Sequence, residues 1–175
     1  MQSNPQTVNP FDPYKIALKP LTSKRNKTED DMNEIYRLQF ESSLYLKNGQ
    51  YVIPCDHFWK SICTAAKEMK LGKKFEQSFI VMNDCPLDFP EKNLTPSQLF
   101  DEKSHVDIRD GVIMRARVPV CRAIFTEWGT TLECYYDETQ LDEKDIIHIV
   151  DTAGQRYGVG TYRMKYGKFK AVVII

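Results

Sequence analysis

A chain of 175 residues with 42% hydrophobic and 27% charged side chains can bury one sizeable core, which excludes an intrinsically disordered chain and leaves little room for two full domains. Its formal net charge is zero, so no global field draws it toward nucleic acid or membrane, and any electrostatic attraction must be local. The five cysteines are odd in number and scattered, never in a C-x-x-C pair, and no apolar run approaches the roughly 20 residues of a membrane helix, so disulfide frameworks, zinc knuckles and spanning segments are excluded as readings.

Residues 1–13, rich in proline, asparagine and glutamine, read as a flexible N-terminal arm, and residues 14–175 as a single domain. The alternation of Ile16 and Leu18 over residues 14–21 predicts a first strand ending near Pro20. A polar loop with Lys24, Arg25 and Lys27 follows, and Thr28 or Glu29 opens a helix with Ile35, Leu38 and Phe40 on its apolar side. Asn48-Gly49 is a two-residue turn signal before a strand at 51–53. Asp56 is the expected N-cap of a helix whose apolar residues Trp59, Ile62, Cys63, Ala66 and Met69 recur at helical spacing up to Gly72, the expected C-cap.

Residues 78–82 read as a strand, and residues 83–110 as an acidic, proline-containing loop excursion that leaves the core. Residues 111–117, 120–125 and 130–136 are β-rich and separated by Pro119 and by Glu127-Trp128-Gly129, which suggests hairpins. Asp142 caps a helix containing Ile146, Ile149, Val150 and Ala153, and Gly158 breaks it. The apolar run 169–175 predicts a final strand inside the sheet. The order is βαββαβ with insertions, an α+β fold with a ferredoxin-like (RRM-like) core, an antiparallel sheet and a C-terminal glycine-rich loop.

The densest chemistry lies between the last helix and the last strand. Gly158, Gly160 and Gly167 permit positive φ and close backbone approach. Arg156, Tyr157, Tyr162, Arg163, Lys165, Tyr166 and Lys168 are interleaved with them, and residues 152–175 contain no acid. Cations neutralise phosphates, rings stack on bases, and amide N–H groups exposed by a glycine loop donate to anionic oxygens, so the mixture suits nucleic acid. The plainer reading is a turn beside a strand with tyrosines packed at its edge. Arg115 and Arg117 share one face if their segment is a strand, with Arg109 and Arg122 nearby, and Lys24 and Arg25 add two further cations. For the arginines the plainer reading is a charged, solvated edge.

The pattern Tyr157-Gly158-Val159-Gly160, a polar run, then Tyr166-Gly167-Lys168-Phe169 and an apolar end resembles the glycine-rich loop of the RAMP superfamily, the ferredoxin-like proteins of CRISPR systems. The chain is most similar to small phage- and prophage-encoded proteins with RAMP-like sequences. There, a segment like Tyr51-Val-Ile-Pro-Cys-Asp56 leads into a helix like Ala65-Ala66-Lys67. An Arg-x-Arg strand (Arg115, Arg117), an aromatic-x-x-Trp step (Phe125, Trp128) and Ala153-Gly154 follow. Thr161 stands where Asp is common, and Val118 separates Arg117 from Pro119. The resemblance spans roughly residues 51–175 and implies a nucleic-acid role with head-to-tail self-association into an oligomer or filament.

Some RAMP proteins cleave RNA without metal through a histidine. Of the three histidines, His57 and His148 fall in predicted helices, where packing or surface roles are the plainer reading, and His105 is the only loop candidate. Asp84, Asp88, Asp101, Glu102, Asp107 and Asp110 fit no metal-site spacing. The reading is therefore a non-catalytic, cytoplasmic protein without cofactor or metal that binds single-stranded RNA or DNA. A metal-independent endoribonuclease and a mimic that binds CRISPR effector subunits are the alternatives.

Overall fold

The computed structural model describes residues 9–113, 116–163 and 165–174. The chain is mixed α+β with small antiparallel sheets, and none of its helices is long and apolar enough to cross a membrane among the described residues. It forms two compact units, one from the described part of Met1–Tyr51 with Leu87–Gly129, the other from Val52–Pro86 with the described part of Thr130–Ile175.

The first unit begins with α1, Pro13–Ser23, where the sequence predicts a strand. Asp12 caps it by accepting the Lys15 N–H at 3.1 Å, and Pro13 occupies the first turn, where its fixed φ suits a helix. The half-buried residues are Tyr14, Ala17, Leu18 and Leu21, a helical spacing, whereas Ile16 is exposed. The capping signal and the 3.6-residue period thus outweigh the weaker alternation. Residues 9–13 are a capped turn rather than a loose arm, and residues 1–8 of the expected arm lie outside the described residues.

Helix α2, Glu29–Ser43, starts at a Thr28/Asp31 capping box with three acids in its first turn. It packs on β6, Ala116–Ala123, which pairs antiparallel with β5, Val106–Ile113. Pro119 lies inside β6 opposite Asp110 rather than between two strands. The ring has no N–H, and neighbouring amides on that side of β6 are taken by α2: Gln39 Oε1 accepts from Cys121 at 2.8 Å and Ser43 Oγ from Ala123 at 2.9 Å. Two helix side chains thus satisfy amides that a further strand would otherwise take.

The expected excursion is not a loop outside the core. It holds the first unit's α5, Pro96–Asp101, set by a Thr95/Gln98 capping box, and Leu87, Phe89, Leu99 and Phe100 are buried. Phe100 packs on Phe40 at 5.6 Å and Phe89 on Tyr51 at 5.4 Å between ring centroids. Tyr51 donates its hydroxyl to the Leu94 carbonyl at 2.8 Å, and burial pushes its phenol up to about 12. The acids hid this apolar pattern, because they lie between the buried positions rather than replacing them. The Asn48-Gly49 turn, both residues at positive φ, joins β1, Leu46–Lys47, to β2, Gln50–Ile53.

In the second unit, Val52 and Ile53 of β2 pair with β4, Cys85–Pro86. Helix α3, Cys55–Glu68, starts after Pro54, so Asp56 sits in its first turn rather than capping it. Just past its end, Lys70 takes the left-handed conformation expected of Gly72 and lets Leu71 donate to the Ala66 carbonyl. Gly72 instead opens α4, Gly72–Ser78, which leads into β3, Phe79–Val81. β3 pairs antiparallel with β7, Cys134–Tyr136. α6, Glu143–Thr152, begins at Asp142 and continues as a π-helical turn over Ala153–Tyr157. The turn and α6 pack on α3, where Ser61, Ala65 and Ala66 are small and fully buried. Buried Phe58, Ile62, Phe75, Phe79, Ile146 and Ile149 make the core.

The final strand is absent: residues 169–174 carry no strand pairing, and Val172 and Ile174 are 88% and 91% exposed. An apolar run has strand propensity, but pairing also requires a neighbouring edge, which composition cannot supply.

Candidate nucleic-acid interface

The glycine-rich segment folds as a closed bend. The π turn ends when Gly158, at φ 63°, donates its N–H to the Ala153 carbonyl at 2.7 Å. Val159 then donates to the Gly167 carbonyl at 2.8 Å, and within the bend Lys165 and Tyr166 both donate to the Tyr162 carbonyl. Phe169 fastens the exit through its N–H to Gly154 and its ring 5.7 Å from that of Phe58.

The glycines at 158 and 167 are demanded by this closure. A Cβ on Gly158 would stand 2.6 Å from the Gly167 carbonyl oxygen, and one on Gly167 would collide with that of Val159. Gly160, at φ 88°, faces open space. Backbone packing therefore accounts for two of the three glycines that the sequence assigned to ligand approach.

The residues displayed by the bend are Tyr162, Arg163, Lys165 and Tyr166, all exposed. Lys165 Nζ stands 5.4 Å from the centroid of the Tyr166 ring. Three other predicted site residues are turned toward the protein. Glu68 of α3 accepts the Tyr157 hydroxyl at 2.5 Å and Arg156 at 2.9 Å, and Lys168 Nζ donates to the Arg156 carbonyl. The Tyr157 hydroxyl, followed by Arg156, holds the Glu68 carboxyl below the usual carboxylate range, and the same bond raises the Tyr157 phenol. Sequence reasoning missed Glu68, because it lies 88 positions from Arg156 and no local pattern links the two.

Lys24, Arg25 and Arg117 belong to the first unit. Lys24 pairs with Asp31 at 2.6 Å and Arg117 with Asp110 at 3.5 Å, while Arg25 is exposed in the loop between α1 and α2. Arg115 lies outside the described residues. The structure thus brings Arg156, Tyr157, Gly158, Gly160, Tyr162, Arg163, Lys165, Tyr166, Gly167 and Lys168 together on one bend, and the described interface is that bend.

His105 is held in the first unit rather than presented in a loop. It is 7% exposed, with Nδ1 3.1 Å from the Ile124 carbonyl and Nε2 3.0 Å from Glu91 Oε2, and its ring packs on Phe89 and Phe125. Both ring nitrogens face protein acceptors. His57 is half-buried on α3 and His148 exposed on α6. Asp84 accepts the Cys55 N–H at 3.1 Å, and Asp88 pairs with Lys92. Among the described residues, no group of three His, Cys, Asp or Glu side chains could hold a metal ion.

Compared with protein-family models, with curated proteins and with solved structures, the chain matches none.

Proposed function

We propose that this protein is a non-catalytic binder of single-stranded RNA or DNA, acting in the cytoplasm, with the glycine bend as its contact surface. The observation that carries the reading is the bend itself: a loop closed by the Val159 to Gly167 hydrogen bond that displays two cations and two aromatic rings within five positions. Guanidinium and ammonium groups neutralise phosphates, and exposed tyrosine rings give bases a stacking surface that tolerates any sequence. Residues 152–175 hold no acid of their own to oppose a polyanion.

A ferredoxin-like core of RAMP type is part of this reading, and the second unit supports it. β2, α3, β3, β7 and α6 come in that chain order, with α4 between α3 and β3 and β4 after β3; β3 and β7 are antiparallel neighbours and α3 packs on α6, while β2 pairs with β4 in a separate sheet. The segment 87–129 is then an insertion between the two hairpin strands.

The test is fluorescence anisotropy with labelled single-stranded RNA and DNA across a salt series. Replacing Arg163 and Lys165 together by alanine should weaken binding and lower the salt slope by about 1.4, from roughly 0.7 per lost phosphate contact on a single strand. Unchanged affinity together with an unchanged slope overturns the reading.

A further inference from the structure

We propose that the apolar tail of one copy, residues 170–174, docks on the exposed face of the β3–β7 sheet of a second copy. The donor is a segment that its own unit covers only in part: Val173 is half-buried, while Ala171, Val172 and Ile174 are exposed. Phe169 is locked by Phe58 and Gly154, but beyond it, among the described residues, the backbone of residues 170–174 makes no hydrogen bond. Val172 and Ile174 stand in water. Such a run, Ala-Val-Val-Ile, favours extended structure against an apolar surface.

The acceptor lies in the same unit but on the other side of its sheet. Phe79 and Val81 of β3 are buried on the side where α3 packs, whereas Ile80, Met82 and Tyr135 are 58%, 50% and 56% exposed. Ile80 and Tyr135 are register partners, so their side chains stand together on one face, and the Tyr135 hydroxyl is steadied by Glu133 at 2.9 Å. The tail leaves from the helical side, at Phe58 and Gly154. Five extended residues reach roughly 17 Å, and to cover its own β3–β7 face the tail would have to round the sheet. A second copy can offer that face directly.

Charge selects the same partner. Lys168, which donates to the Arg156 carbonyl, and Lys170 adjoin the root of the tail in sequence, with Lys165 just before them, while exposed Glu133, Asp137 and Glu138 flank β7 with Lys74 acting on Asp137. A basic stem thus meets an acidic rim, with apolar side chains between them. Each copy carries one donor and one acceptor, so association either closes as a reciprocal dimer or runs on as a chain of copies. The inference does not depend on nucleic acid.

The experiment uses the full chain without nucleic acid. Light scattering across a concentration series should show a mass that rises above one chain. Val172→Asp with Ile174→Asp, and separately Ile80→Glu, should return a single-chain mass at every concentration with unchanged circular dichroism. Benzoylphenylalanine in place of Ile174, in a mixture of light and heavy isotope-labelled chains, should crosslink to peptides containing Ile80 or Tyr135, with mixed isotopes. A wild-type mass of one chain throughout, same-isotope adducts alone, or adducts elsewhere overturn the proposal. Such a failure is distinct from failure of the binding reading, because no polymer is present.

Discussion

Glu68 accepts the Tyr157 hydroxyl at 2.5 Å and so ties the end of α3 to the root of the glycine bend. The same carboxylate neutralises Arg156. Glu68→Gln removes one negative charge beside the bend and releases Arg156 for a phosphate. Single-strand affinity at low salt should then rise about two- to fivefold, the range of one exposed ion pair. Because the folded carboxyl titrates below its unfolded value, the clamp is present above the unfolded pKa and fades only as pH falls through the folded one. Anisotropy measured at pH 7 for wild type and variant checks this, and weaker binding by the variant contradicts it.

The glycines separate structure from contact. Gly160→Ala meets open space and bears only the left-handed backbone, about 1–2 kcal/mol. Gly167→Ala adds a collision with the Val159 carbonyl and should cost about 3 kcal/mol or more, through strain and the lost closure. Thermal unfolding of the two variants checks the order, and equal losses would refute the closed bend.

Four thiols are held back by their surroundings. Burial pushes Cys63, Cys85, Cys121 and Cys134 up to about 11, whereas unfolded thiols ionise near ~8.5. Above the unfolded value the unfolded chain sheds protons that the folded one keeps, so stability falls as pH rises from about 8.5 toward 11. At pH 8 these four thiols should react slowly with a disulfide reagent and rapidly in guanidinium. Thiol titration with and without denaturant, and urea midpoints at pH 8 and pH 10, check both parts.

Helices that carry both a start signal and a period were legible from residues alone. Thr28 before Glu29, the run from Asp56 to Met69, and Asp142 before Ile146 all placed elements close to where they stand. At residues 14–21 the alternation of Ile16 and Leu18 obscured the Asp12-Pro13 start, and a helix was read as a strand. Phe89, Leu99 and Phe100 were passed over because acids and prolines lie between them, although those three residues anchor the first unit. At the bend, local composition located Tyr162, Arg163, Lys165 and Tyr166. The partnership of Arg156 and Tyr157 with Glu68 was invisible, since it depends on α3 coming alongside the π turn.

The two units are sewn from alternating stretches, with changes of unit after Tyr51, Pro86 and Gly129. During synthesis the first unit can close once residue 129 has left the ribosome, while residues 52–86 wait for α6 and the bend before their apolar side is covered. In that interval Phe58, Ile62 and Phe79 have only local company, which marks α3 and β3 as the stretch for a chaperone to shield. A cut at any one crossing divides at least one unit between the two pieces, so proteolysis there should leave the pieces associated rather than release an autonomous half.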